Sequence, residues 1–67
     1  MNMTGVSDSF CKVEVKAAHG GGFYADYGYL STPIFATPLE AAREGNRRGQ
    51  DVYGTTIRLV DLRQFGG

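Results

Sequence analysis

The sequence predicts an α+β domain in which an antiparallel sheet of three to four strands packs one face against a single helix, in the chain order β-β-α-β. Three observations carry this. Residues 11–17 alternate apolar and polar side chains, residues 37–40 spell a helix start, and residues 52–62 are rich in β-branched side chains. Strands with one wet face and one amphipathic helix assemble as two layers with their apolar faces between them. At 67 residues the chain holds one domain, 1–67, with 1–8 and 63–67 expected to be loose. A core of this size leaves only about 3–5 kcal/mol of net stability, so each buried contact weighs heavily.

The first strand is expected over Phe10–Ala17, with Cys11, Val13, Val15 and Ala17 on the buried face and Lys12, Glu14 and Lys16 in water; side chains of period two divide a strand in this way. Gly20, Gly21 and Gly22 follow His19 and mark a hairpin loop. The second strand, Phe23–Leu30, is aromatic-rich, which favours a pleated surface. Gly28 inside it predicts a bulge or a close approach of another group. Residues 31–36 read as an extended connector or short edge strand, because Pro33 has no N–H for a central ladder.

The helix has the clearest local signature. Thr37 suits the N-cap, Pro38 the first helical position, and Glu40 completes a capping box. Leu39–Glu44 are strong helix formers. Arg47 and Arg48 are expected in the last turn, where the helix dipole favours cations, with Gly49 as the C′ residue. Glu44 and Arg48 form an i,i+4 pair. The inward face, Leu39, Ala42 and Gly45 or Asn46, is thin, so the helix must lie close on the sheet. Gln50–Asp51 is then read as a turn and Val52–Leu62 as the last strand, with Phe65 as the tail residue able to pack back.

Composition excludes several classes of function. Seven basic and seven acidic residues cancel, so the basic footprint of a nucleic-acid-binding domain is missing. With one cysteine, Cys11, no intramolecular disulfide forms, which points to a reducing compartment and a cytoplasmic location. No signal peptide and no membrane span is expected. No cofactor or metal site is expected either, since one cysteine, Cys11, and one histidine, His19, cannot supply the usual four ligands without recruiting carboxylates. His19-Gly20-Gly21-Gly22 matches the oxyanion loop of esterases in letters only, without a Gly-x-Ser-x-Gly elbow. Glu40 and Glu44 have structural jobs, and Cys11 sits on an apolar face, so the chain is expected not to be an enzyme.

Binding is the expected business of the chain, and five residues are the candidates: Tyr24, Asp26, Tyr29, Arg43 and Arg47. Tyrosine and arginine are the common anchors of protein interfaces. Alternation places Tyr24 and Asp26 on the open sheet face and Tyr27 and Tyr29 at the rim of the core with Phe23. An ordinary core with a wet tyrosine rim accounts for the same pattern. The Thr-x-x-Glu-Ala helix at Thr37–Ala41, followed by Gly54-Thr55-Thr56-Ile57-Arg58, resembles small phage-encoded anti-CRISPR proteins acting on type I systems. That resemblance covers the last part of the chain and implies a stoichiometric inhibitor. Such a protein would bind a CRISPR surveillance complex in the host cytoplasm and block recruitment of DNA or of the nuclease. Two alternatives stand beside it: a small nucleic-acid-binding module using the helix arginines, and a structural or regulatory homodimer.

Overall fold

A computed structural model describes residues 11–66. The expectations for residues 1–8 and for Phe10 lie outside the described residues. The opening alternation becomes strand β1 (Val13–Ala17), which turns through Ala18–Gly22 and pairs antiparallel with β2 (Phe23–Tyr27). Val13 stands opposite Tyr27, Val15 opposite Ala25, and Ala17 opposite Phe23. Directly opposed residues share a face, so these six lie on the helix side, although Ala17, expected to be buried, is exposed at the end of the strand; Glu14, Lys16, Tyr24 and Asp26 line the open face.

The second strand stops at Tyr27, earlier than the aromatic run suggests. Gly28 and Tyr29 make a two-residue turn into β3 (Leu30–Ser31), with Tyr27 paired to Leu30. Gly28 has φ +69°. A positive φ at the first central residue matches the twist of a tight hairpin and calls for glycine. Gly28 is therefore a turn residue, not a bulge, and the expected close approach is present as well: a Cβ there would overlap the Tyr53 hydroxyl.

Beyond β3 the edge is interrupted where Pro33 falls. The Thr32 N–H donates to the Ala25 carbonyl at 2.9 Å. The buried Thr32 hydroxyl accepts from the Ala25 N–H at 3.0 Å and donates to the Pro33 carbonyl at 2.8 Å. A side chain thus substitutes for a missing ladder acceptor. Phe35 then pairs again with Phe23, through bonds of 2.8 and 2.7 Å in the two directions. The sheet order is β1-β2-β3, antiparallel throughout.

The helix starts where the sequence places it. Thr37 is extended, its hydroxyl accepts from the Glu40 N–H, and Pro38 opens helix α1 (Pro38–Tyr53). It does not end at Gly49. The helix takes in Gln50–Tyr53 and stops at Gly54, whose φ is +63° and whose N–H donates to the Gln50 carbonyl. Arg47 and Arg48 consequently lie mid-helix, and the last turn holds no basic residue.

Packing explains the extension. Ala41, Ala42, Gly45 and Gly49 are the buried helix residues, whereas Leu39 is only half-buried. A Cβ on Gly45 would sit 2.6 Å from the Ala25 Cβ and 2.9 Å from Val13 Cγ1; one on Gly49 would sit 3.4 Å from Val13 Cγ2 and 3.5 Å from the Tyr27 Cβ. The two methyls of Val13 thus splay onto the two glycines. Four helical residues rise about 6 Å and two strand residues about 6.7 Å, so Gly45 over Ala25 and Gly49 over Tyr27 is one continuous register. Glycine inside a helix costs about 1 kcal/mol relative to alanine. Contact between backbone and sheet along this stripe offsets that cost, and the helix runs on.

The strand expected over Val52–Leu62 is the main correction. Its first two residues end the helix, Gly54–Thr56 form a 3-10 turn, and only Arg58 pairs with the sheet. The Val13 N–H donates to the Arg58 carbonyl and the Arg58 N–H to the Cys11 carbonyl, both at 3.0 Å; the contact is parallel and one residue long. The described order is therefore β-β-β-α, while the α+β class, with one helix on one face of an antiparallel sheet, holds. Ile57 is buried against Gly49. Burying an isoleucine is worth about 1.5–3 kcal/mol, more than the net value of either backbone bond at about 1 kcal/mol, so Ile57 holds this segment. Asn46 adds a two-point clasp: its amide N–H donates to the Val60 carbonyl and its amide oxygen accepts from the Val60 N–H, both at 3.0 Å. Leu62–Phe65 close the described chain as a 3-10 turn capped by Asp61.

Candidate functional site

The five candidate residues occupy three separate places. Tyr24 and Asp26 lie on the open sheet face as expected. Asp26 is held there by the Lys16 ammonium at 2.8 Å and by the Ser31 hydroxyl, which donates to it. Burial raises the Asp26 carboxyl, but the Lys16 and Ser31 contacts outweigh it and leave the group below the ordinary carboxylate range. The same hydrogen bond and charge raise the Lys16 ammonium. This diagonal pair also relieves a local conflict, because Glu14 and Asp26 are direct cross-strand partners of like charge. The role of Asp26 within the fold is thus to bind its own sheet.

Arg43 and Arg47 lie on the helix, in an open groove with Phe35, Glu40 and Glu44. Arg47 forks onto Glu44 through two bonds, at 2.7 and 3.2 Å, and Arg48 donates to the same carboxylate. The two guanidiniums, Arg47 first, pull the Glu44 carboxyl down to about 2. Arg48 is half-buried and also meets the Tyr27 hydroxyl. Two of the three helix arginines are thereby committed to one carboxylate, and the helix groove carries both signs of charge.

Tyr29 departs furthest from expectation. Alternation places it at the rim of the core with Phe23 and Tyr27; Tyr27 is indeed buried, but the turn at Gly28 throws Tyr29 outward to 88% exposure. The Tyr29 N–H lies 3.5 Å from the hydroxyl of Tyr53, the last helix residue; Leu30, which follows Tyr29, and Val52, which precedes Tyr53, are both exposed. Tyr29 is a candidate the sequence offers, whereas Leu30, Val52 and Tyr53 at the same end are residues that sequence reasoning missed. Ala41, Gly45, Gly49 and Tyr53 recur every fourth residue, which was the available signal that the helix continues to Tyr53.

Cys11 precedes β1 and lies beside Thr55, Thr56, Ile57 and Arg58 in a polar recess, whereas His19 is exposed in the loop that follows β1. The strand between them, on the order of 17 Å at 3.3 Å per residue, keeps thiol and imidazole apart. Among the described residues no three metal-ligating side chains converge, and no helix is long and apolar enough to cross a membrane. No protein-family model, curated protein or solved structure matches the chain.

Proposed function

We propose that this chain is a small stoichiometric binding protein that engages a host protein or nucleoprotein complex through the end carrying Tyr29. The observation that carries the reading is the 88% exposure of that tyrosine, with exposed Leu30 and Val52 at the same end. A large aromatic ring held in water by a tight turn is the kind of anchor that supplies most of an interface's energy when a partner pocket closes over it. Three of the other four candidates offer less surface: the Asp26 side chain is 27% exposed beside Lys16, that of Arg47 is 65% exposed beside Glu44, and Tyr24 is half-buried.

The concrete form of the proposal is inhibition of a type I CRISPR surveillance complex, by blocking recruitment of DNA or of the nuclease. It rests on the sequence resemblance, whose capped helix is present at Thr37–Glu40. Its Gly-Thr-x-x-Arg half is a 3-10 turn leading to a single pairing, not a strand. The test is surface plasmon resonance of the immobilised chain against purified type I surveillance complexes. The expected result is a 1:1 complex that Tyr29→Ala weakens by about thirtyfold or more, the roughly 2 kcal/mol that marks an anchor residue. Absence of binding to every complex removes the anti-CRISPR form, and binding indifferent to Tyr29→Ala removes Tyr29 as the contact.

A further inference from the structure

We infer that Tyr53 is the positioning residue of the Tyr29 turn, so that the helix C-terminus presets the exposed tyrosine before any partner arrives. The inference deepens the reading of Tyr29 as the contact residue and rests on it for its functional meaning, but its geometry stands by itself. Two contacts converge at this point. The Tyr29 N–H lies 3.5 Å from the Tyr53 hydroxyl oxygen. A Cβ on Gly28 would overlap that oxygen and fall 2.5 Å from the ring carbon bearing it, so the bare backbone of the turn sits directly on the end of the phenol. Tyr53 itself is half-buried against the core and is the last residue of α1.

The tyrosine comes from the rigid part of the fold. Gly49 fixes the helix over Tyr27, and Tyr27 is the residue from which the turn departs. One turn of helix beyond Gly49 brings the phenol to the residue after Tyr27 in the chain. The close helix–sheet packing therefore sets the height of Tyr53, and Tyr53 sets the turn. Only glycine fits between them, for two independent reasons: φ is +69° and the space is taken. An anchor held in its bound conformation loses less freedom on binding, and that raises affinity without any added contact.

The test uses the full chain and needs no partner. Tyr53→Phe retains the ring and removes the hydroxyl; Tyr53→Leu also removes the phenol's contact with Gly28. Amide exchange and 15N relaxation are read at Tyr29, with Lys16 and Tyr24, a hydrogen-bonded pair of the β1–β2 ladder, as internal references. In Tyr53→Phe the Tyr29 amide should exchange about three- to tenfold faster, the range of one net hydrogen bond, while both sheet amides keep their rates. In Tyr53→Leu the Tyr29 order parameter should fall from about 0.85 toward about 0.6. Unchanged Tyr29 exchange in the Phe variant overturns the inference. Equal acceleration at Tyr29, Lys16 and Tyr24 overturns it too, since Tyr53 would then only stabilise the fold. Binding separates this from the functional reading: if Tyr29→Ala leaves affinity intact while Tyr53→Phe loosens the turn, the contact assignment fails and the positioning role stands.

Discussion

Alanine at the two helical glycines should have opposite consequences, and the pair isolates close packing from helix propensity. Each Gly→Ala change gains about 0.8–1 kcal/mol of helix propensity, and each reduces the freedom of the unfolded chain equally. These contributions cancel in the comparison. At Gly45 the new Cβ meets the Ala25 Cβ at 2.6 Å and Val13 Cγ1 at 2.9 Å, against an optimum of about 3.5–4.0 Å for carbon pairs. The Ala25 Cβ is fixed to the strand backbone, so relief requires the helix to lift by about 1 Å off the sheet. Overpacking of this kind costs about 1–3 kcal/mol, and this contact belongs at the upper end, leaving a net loss of about 2 kcal/mol.

At Gly49 the nearest atom is Ile57 Cδ1 at 3.0 Å, the far end of a side chain that can change rotamer. There the propensity gain should survive, leaving the variant neutral or stabilised by about 0.5 kcal/mol. Urea denaturation followed by far-UV circular dichroism should place Gly45→Ala at least about 2 kcal/mol below Gly49→Ala, or roughly 8–16 °C lower in Tm for a domain of this size. Equal stability of the two variants, or a more stable Gly45→Ala, would refute the account of how α1 meets the sheet.

Three further outcomes rest on particular contacts. Asn46→Ala opens both bonds to Val60 and should cost about 1–3 kcal/mol, with exchange accelerated at Val60 and Arg58 before it changes in the β1–β2 hairpin. Thr32→Val keeps the shape but deprives the buried Ala25 N–H of its acceptor; calorimetry should register a loss of about 1–3 kcal/mol, and an unchanged Tm would contradict the role assigned to that hydroxyl. Glu44 has a carboxyl lowered from 4.5 to about 2 by Arg47 and Arg48, so its contribution is complete above the unfolded value and lost as pH falls from about 4.5 to about 2. An acid titration of stability should therefore be shallower across that window in Glu44→Gln than in the wild-type chain.

Features written in neighbouring residues were legible without the tertiary structure. The alternation of Val13, Val15 and Ala17 against Glu14 and Lys16 gave one strand face, and Thr37, Pro38 and Glu40 gave the helix start, because both depend on chemistry within a few residues. The candidate surface was legible only in pieces. Tyr24, Asp26, Tyr29, Arg43 and Arg47 were identifiable as exposed types, but the commitment of Asp26 to Lys16 and Ser31, and of Arg47 to Glu44, was not. The short-range turn at Gly28 moved Tyr29 from the core rim to the tip of a hairpin.

By itself the sequence determined the class of the domain, its hairpin, the N-terminus of its helix, and the need for that helix to sit close. Only the tertiary structure decided where the helix stops and how the chain continues beyond it. Gly49 is a good local stop signal and Val52–Leu62 a good local strand, but local preferences here amount to about 1 kcal/mol each. Against them stand Val13 spread across Gly45 and Gly49, Ile57 buried on Gly49, and Tyr53 seated on Gly28. Those contacts join residues far apart in the chain and act together, so they extend the helix, dissolve the last strand, and build the tyrosine end of the molecule.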